Sequence, residues 1–234
     1  MKIEIWSDVV CPFCYIGKRK IEKALDKFPN KDQVEIEWKS FQLNPDQQTN
    51  PAISTLEHLA QSKGWSMEQT REITSNVVNM AAAQGLEFDF DKAVVANTRN
   101  AHRLIHMAKE SGKDGEMKER LLRAYFSEGK NVDDFATLIS IGAEIGLVEV
   151  EIAAMLESDK FEQAVDQDIY ESRQIGVRGV PFFVLDRKFG ISGAQDDSVF
   201  DQTLAKAWAA YAKENPTLIM EGSDGESCEV DGNC

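Results

Sequence analysis

Four cysteines occur in the 234 residues, and two of them are spaced for chemistry. Cys11-Pro12-Phe13-Cys14 follows an apolar run with strand-like alternation at Ile3 and Ile5. It precedes a segment in which Ile16, Ile21, Ala24, Leu25 and Phe28 recur at helical spacing. Pro12 suits the first turn of a helix, because its φ is preset and the N–H groups of that turn lack intrahelical acceptors. Cys11 therefore falls at a helix mouth, facing solvent, with Cys14 one turn inside. Free backbone N–H groups and the positive end of the helix dipole favour a thiolate at Cys11. A thiolate is the species that attacks disulfides, and Cys14 is spaced to expel whatever Cys11 captures. A C-x-x-C also serves as half of a zinc site or as two core thiols. The strand before, the proline inside and the helix after favour redox chemistry here, with no metal expected.

A second feature lies far downstream, where Pro181 opens the strand-like run Phe182-Phe183-Val184-Leu185 at a position that deprives no ladder of a donor. A cis bond at Val180-Pro181 would aim the Val180 backbone at the dithiol, where it could pair with an extended substrate. A trans proline starting a strand is the commoner arrangement. Asp8 has two readings as well: a proton acceptor for Cys14 during resolution, or a turn residue bonded to nearby backbone. Lys18-Arg19-Lys20 either favours a thiolate or an anion near the motif, or forms a solvated helix face. His102 sits among apolar residues of a helical segment, so a packed histidine competes with a cleft-facing one.

The elements that must position these groups can be read in chain order. Val34 to Phe41 alternates as a half-buried strand, with Val34, Ile36 and Trp38 inward and the charges outward. Pairing it in parallel with the first strand closes a right-handed β-α-β unit through the cysteine-bearing helix. Leu43 to Pro51 reads as a loop. From Ser54 to Gly176 the strong periodic signals are helical, including a Ser66-x-x-Gln69 capping box and a helix that Asn97 can cap. Phe182–Leu185 and Phe189–Ser192 flank Asp186-Arg187-Lys188 as a hairpin, and a closing helix starts at Asp197 with Val199, Phe200, Leu204, Ala207 and Trp208 as its core stripe. The sum is an α/β thioredoxin fold with a large all-helical insertion. Residues 1–53 and 177–214 form the discontinuous α/β unit, 54–176 the insertion, and 215–234 a flexible acidic tail carrying Cys228 and Cys234. The turn-prone Asp231-Gly232-Asn233 lets those two thiols meet as a second redox pair, against an inert or metal-binding tail.

Composition narrows the function classes. A formal net charge of −14 argues against nucleic acid, whose phosphates require a basic footprint. No apolar run is long enough to cross a membrane, and Met1 leads directly into a strand rather than a signal peptide. A cytoplasmic location is expected, and there a C-x-x-C is more often catalytic than structural.

The stretches Ser7 to Gly17, Asn97 to Leu104, Arg178 to Phe183 and Gly190 to Gln195, in this order, resemble the DsbA-like branch of the thioredoxin superfamily. Within it they are similar to FrnE-like proteins, grouped with 2-hydroxychromene-2-carboxylate isomerases and kappa-class glutathione transferases. The resemblance implies a cis Pro181, a nucleophilic Cys11 and a resolving Cys14. It implies that the Asn97–His102 segment faces the dithiol, which makes Asn97 and His102 substrate-side candidates with Phe13, Val180 and Arg178. Phe13 stands where strongly oxidising members carry a histidine, so a milder effect on the Cys11 thiol is expected. The implied activity is thiol–disulfide oxidoreduction or isomerisation on protein or small-molecule disulfides and thiols. No cofactor is expected, and glutathione is a candidate redox partner. Two alternatives stand beside it. Glutathione-dependent isomerases or transferases usually carry serine at the nucleophile and lack a resolving cysteine. A non-catalytic holdase, or a metal-responsive protein using Cys228 and Cys234, would need no dithiol.

Overall fold

The computed structural model describes residues 1–216 of the chain, so Cys228 and Cys234 lie outside the described residues. Strand β1 (Lys2–Ser7) is central in a four-stranded sheet, order β2-β1-β5-β6, with β2 at Glu35–Ser40, β5 at Phe182–Leu185 and β6 at Phe189–Ser192. The β1–β2 pair is parallel and is joined through helix α1 (Pro12–Asp26), the β-α-β unit expected from the sequence. β5 runs antiparallel to both β1 and β6. In the three-residue loop of the β5–β6 hairpin, Asp186 and Arg187 take φ of 51° and 54°, the left-handed pair of a turn closed by the Lys188 N–H on the Leu185 carbonyl at 3.1 Å.

Cross-strand partners share a face of the sheet. Ile5 opposes Phe183 and Ile3 opposes Leu185. Phe183 meets Phe200 of helix α9 (Asp197–Glu214) edge to face, with ring centroids 5.0 Å apart, so α1 and α9 cover this side.

The opposite face differs from the half-buried strand expected at Val34–Phe41. The helical segment folds back over it: α4 (Arg99–Lys109) and α8 (Glu162–Gln174) pack there, while α5 (Asp114–Phe126) meets β2 at Trp38, on the Ile5 side. Glu37 is buried and pairs with Lys2, Lys39 and Lys109, while Lys39 pairs with Asp168 and Glu171 of α8. The outward charges of β2 therefore face a protein layer and are matched by opposite charges, as buried ions must be. Trp6 donates its indole N–H to the Asp168 carbonyl at 2.9 Å across the same layer.

The remaining helices of this stretch are α2 (Thr55–Lys63), α3 (Met67–Ala82), α6 (Phe135–Glu144) and α7 (Glu149–Leu156). Ser66 and Gln69 form the capping box of α3 in both directions. Thr98, not Asn97, is the N-cap residue of α4; Asn97 precedes it, its Oδ1 accepting the Arg99 N–H at 2.8 Å. The stretch is not wholly helical. β3 (Asn50–Ser54) pairs antiparallel with β4 (Val94–Val95) in a two-stranded ribbon, where a loop and helices were expected. Pro51 fits an exposed ribbon that has no inner ladder to interrupt, and two valines are too short a signal to register as a strand.

Gly17 controls how closely α1 approaches the loop before β5. A Cβ at this position would lie 2.9 Å from Pro181 Cγ and 3.1 Å from Phe183 Cζ. Gly17→Val should therefore lower the unfolding free energy by about 2 kcal/mol through overpacking. Urea unfolding checks this, and a midpoint at or above that of the wild type would contradict it.

Candidate active site

Helix α1 begins where the chain leaves β1. Cys11 is the N-cap residue, with φ −92° and ψ 113°, and Pro12 occupies the first turn. The Cys14 N–H donates to the Cys11 carbonyl at 3.0 Å, closing the first turn with Cys14 inside it. The Val180-Pro181 bond is cis and its loop faces the dithiol: the Cys11 thiol donates to the Val180 carbonyl at 3.4 Å. Both cysteines are free thiols. Cys11 is not solvent-facing as its place at a helix mouth suggested. It retains 4 % of its surface, because the Val180 carbonyl lies against it.

The protonation pattern also departs from the expectation of a thiolate at Cys11. The hydrogen bond with Cys14, followed by burial, holds the Cys11 thiol well above its ordinary range. Burial pushes Cys14 up too. The hydrogen bond from Cys11, the Lys118 charge and the Ser7 hydroxyl outweigh it and bring Cys14 below its ordinary value. The two sulfurs titrate as a pair, and an anion on one opposes loss of the proton from the other.

Asp8 lies between β1 and α1 and is fully enclosed. Its Oδ1 accepts the Val9 N–H at 2.8 Å and its Oδ2 the Leu43 N–H at 2.8 Å, so the carboxylate ties the β1–α1 turn to the chain after β2. His102 Nε2 lies 3.2 Å from Asp8 Oδ1, and His102 Nδ1 has no hydrogen-bond partner among the described residues. That arrangement suits a neutral imidazole donating Nε2–H to the carboxylate. Burial alone would raise Asp8. The His102 hydrogen bond and charge, with the Leu43 N–H, bring it below the usual carboxylate value. Burial also drives the His102 pKa down, against the pull of Asp8.

The structure brings together Asp8, Cys11, Cys14, Val180, Pro181 and, through Asp8, His102. Phe13 stands beside them with 39 % of its surface exposed. Arg178 is exposed and makes no ion pair or side-chain hydrogen bond among the described residues. Asn97 does not join the group. Its amide donates to the carbonyls of Pro45 and Gln47 and lines a separate polar cleft with Arg99 and Asp133. A second cleft of about 380 Å³ does reach the site, lined by Asp8, Val10, Leu43, Thr98 and Tyr125 with His58 at its rim. The basic run after the motif is neither a solvated face nor a thiolate partner. Lys18 and Arg19 pair with Glu22 and with Glu119 of α5, fastening α1 to the helical layer.

One residue at the site escapes a motif search. Lys118 of α5 is 1 % exposed and donates to the Ser7 carbonyl at 3.2 Å, at the end of β1. Its signal was a lysine on the helical stripe 118, 121, 122 and 125, whose other members are Leu121, Leu122 and Tyr125.

The DSBA-like thioredoxin domain family model matches residues 2–205. The chain belongs to that family. A probable DsbA oxidoreductase from Streptomyces coelicolor superposes with a TM-score of 0.84 at 36% identity, covering 100% of this chain and 98% of that one. The uncharacterized protein YwbO of Bacillus subtilis is 28% identical over 205 residues, 87% of this chain and 95% of its own. The cytosolic disulfide reductase DsbM from Pseudomonas aeruginosa, solved with GSH, shares the fold with a TM-score of 0.61 at 17% identity, covering 92% of this chain and 100% of that one.

The buried Asp8–His102 pair predicts acid sensitivity. His102 is neutral in the fold and its pKa is depressed, so its contribution to stability is complete above the ordinary histidine value of 6.5 and is lost as pH falls below it. Asp8, also depressed, acts in the same sense at lower pH, through the ordinary aspartate value of 3.8. Unfolding free energy should fall more steeply between these two values in the wild type than in His102→Gln. Equal slopes in a urea series over pH would contradict the assignment.

Proposed function

We propose that this DsbA-like chain is a thiol–disulfide oxidoreductase with Cys11 as the attacking and Cys14 as the resolving sulfur. The observation that carries this is the 3.4 Å contact of Cys11 Sγ with the Val180 carbonyl, with Cys14 one turn behind. The sulfur that touches the Pro181 loop is the one a substrate lying along that loop would meet first. An extended substrate can use the Val180 backbone as a strand partner.

In the reducing direction, once Cys14 has lost a proton to solvent, the proton of Cys11 passes to it and the Cys11 thiolate attacks one sulfur of the substrate disulfide. One Cys11–substrate bond forms, and the other substrate sulfur leaves as a thiolate that takes a proton from solvent. Cys14 then gives up its proton to solvent and attacks Cys11 Sγ. The second substrate sulfur departs as a thiolate that takes a proton from solvent, and the Cys11–Cys14 disulfide remains. Two electrons pass from the dithiol to the substrate, and the oxidising direction is the reverse.

The substrates are protein or small-molecule disulfides. Glutathione fits as the redox partner, by analogy with the GSH-bound reductase of the same fold. No helix among the described residues is long and apolar enough to cross a membrane, and a cytoplasmic site of action fits this reading. Having both cysteines sets the chain apart from a serine-dependent glutathione transferase.

Cys11→Ser should reduce insulin disulfides no faster than the uncatalysed background, while Cys14→Ser should accumulate mixed disulfides visible by mass spectrometry. Wild-type turnover in Cys11→Ser would overturn the proposal. Suppression of protein aggregation that survives Cys11→Ser, without any reductase activity in the wild type, would mark a holdase instead.

A further inference from the structure

An ammonium group enclosed in protein is costly unless a negative charge faces it. Lys118 is enclosed to within 1 % of its surface, yet it makes no ion pair among the described residues. Its surroundings are the Ser7 carbonyl at 3.2 Å and the Trp38 ring, whose centroid is 5.8 Å away. The charged and titratable groups whose fields reach it are Cys14 and Cys11 from α1, Asp8 from the β1–α1 turn, and Lys18, also from α1. His102 of α4 feels its charge as well. Asp8 is already committed to two backbone N–H groups and to His102. Lys18, which would compete, is itself held by Glu22 and Glu119. What remains uncommitted is the dithiol, the buried group that gains a negative charge when the chain reacts.

We propose that Lys118 is a positioning residue for the redox step, a buried counter-charge that the helical layer supplies to the Cys14 thiolate. The inference rests on the dithiol reading above and deepens it. In the reducing direction, Cys14 must lose its proton after the mixed disulfide forms on Cys11. The Lys118 ammonium favours that ionisation by holding the resulting anion until it attacks Cys11 Sγ. Once the internal disulfide has formed, no sulfur anion remains, and the ammonium keeps only the Asp8 charge. Its hold on its own proton then weakens. Burial already pushes Lys118 down to about 8, with Cys14 and Asp8 pulling it back up, so a change of charge on the sulfurs acts on a group that titrates near neutral pH.

The geometry also explains why the lysine comes from α5. Ser7 closes β1 and Asp8 opens the turn to α1, so the space beside the end of the strand is filled by whichever helix crosses the sheet there. α5 lies against β2, and its stripe 118, 121, 122 and 125 points inward. A long flexible stem on that stripe carries the charge past Trp38 to the Ser7 carbonyl at the end of β1, while its methylenes pack as a hydrocarbon would.

NMR shifts of the cysteine β carbons, followed against pH in the full reduced chain, resolve Cys11 and Cys14 separately. In Lys118→Met the first ionisation constant of the dithiol should fall by about tenfold, moving its midpoint up by about one pH unit. Lys118→Arg, which keeps the charge, should stay near the wild type. Far-ultraviolet circular dichroism and urea unfolding establish that the variants are folded. An unchanged midpoint in folded Lys118→Met would overturn the proposal. Should that variant fail to fold, the wild type decides. The ε-carbon shift of Lys118 should titrate at higher pH in the reduced than in the oxidised chain, and equal midpoints would overturn the proposal. Both titrations read equilibrium protonation rather than turnover, so they stand apart from insulin reduction, whose absence would instead count against the oxidoreductase assignment.

Discussion

Cys11 reaches the Val180 carbonyl because nothing separates the start of α1 from the loop before β5. Gly17 lies against Pro181 and Phe183 at distances no side chain would allow, and Phe183 is in turn fixed by Ile5 across the sheet and Phe200 of α9. The position of one sulfur relative to one carbonyl is thus set by strand register on one side and helix packing on the other. Both are properties of a close-packed interior, where a methyl group is felt over the whole contact.

The polar groups behind the dithiol obey a second constraint. The end of β1 leaves Ser7 and Asp8 inside the protein, where each lone pair and charge needs a partner. The loop after β2 supplies Leu43 and the helical layer supplies His102 for the Asp8 carboxylate, and Lys118 of the same layer serves the Ser7 carbonyl. The same layer shields the charged side of β2 through Lys109, Asp168 and Glu171. A segment that reads as an insertion is therefore the other half of the sheet's core. It also sets the electrostatics at the inner cysteine.

What was legible in the sequence follows from the range of the interaction that produces it. The helix start at Cys11, the capping box at Ser66, the Asp186-Arg187 hairpin and the core stripe of α9 depend on residues within a turn or two of one another, and composition reveals them. The apposition of Cys11 and Pro181 spans most of the chain and was legible only as a resemblance to a family. Three features were not legible because they need the far side of the fold. Burial of Cys11 and the protonation pattern within the pair depend on Val180 and Lys118. The matched charges of β2 depend on α4 and α8. The diversion of Asn97 to the Pro45–Gln47 carbonyls depends on where the loop after β2 returns. Lys118 stands between these cases: its place on an apolar stripe was visible, but the sulfur its charge reaches was not.

The central claim is that Cys11 and Cys14 act as one two-electron couple at the Val180 loop. Equilibrating the full chain in a series of glutathione redox buffers, quenching by alkylation and mapping each cysteine by mass spectrometry tests it most directly. The account predicts that Cys11 and Cys14 pass together from dithiol to an internal disulfide in a single transition. Cys11 held as a lasting glutathione adduct with Cys14 still reduced, or both thiols unchanged across the series, would contradict it.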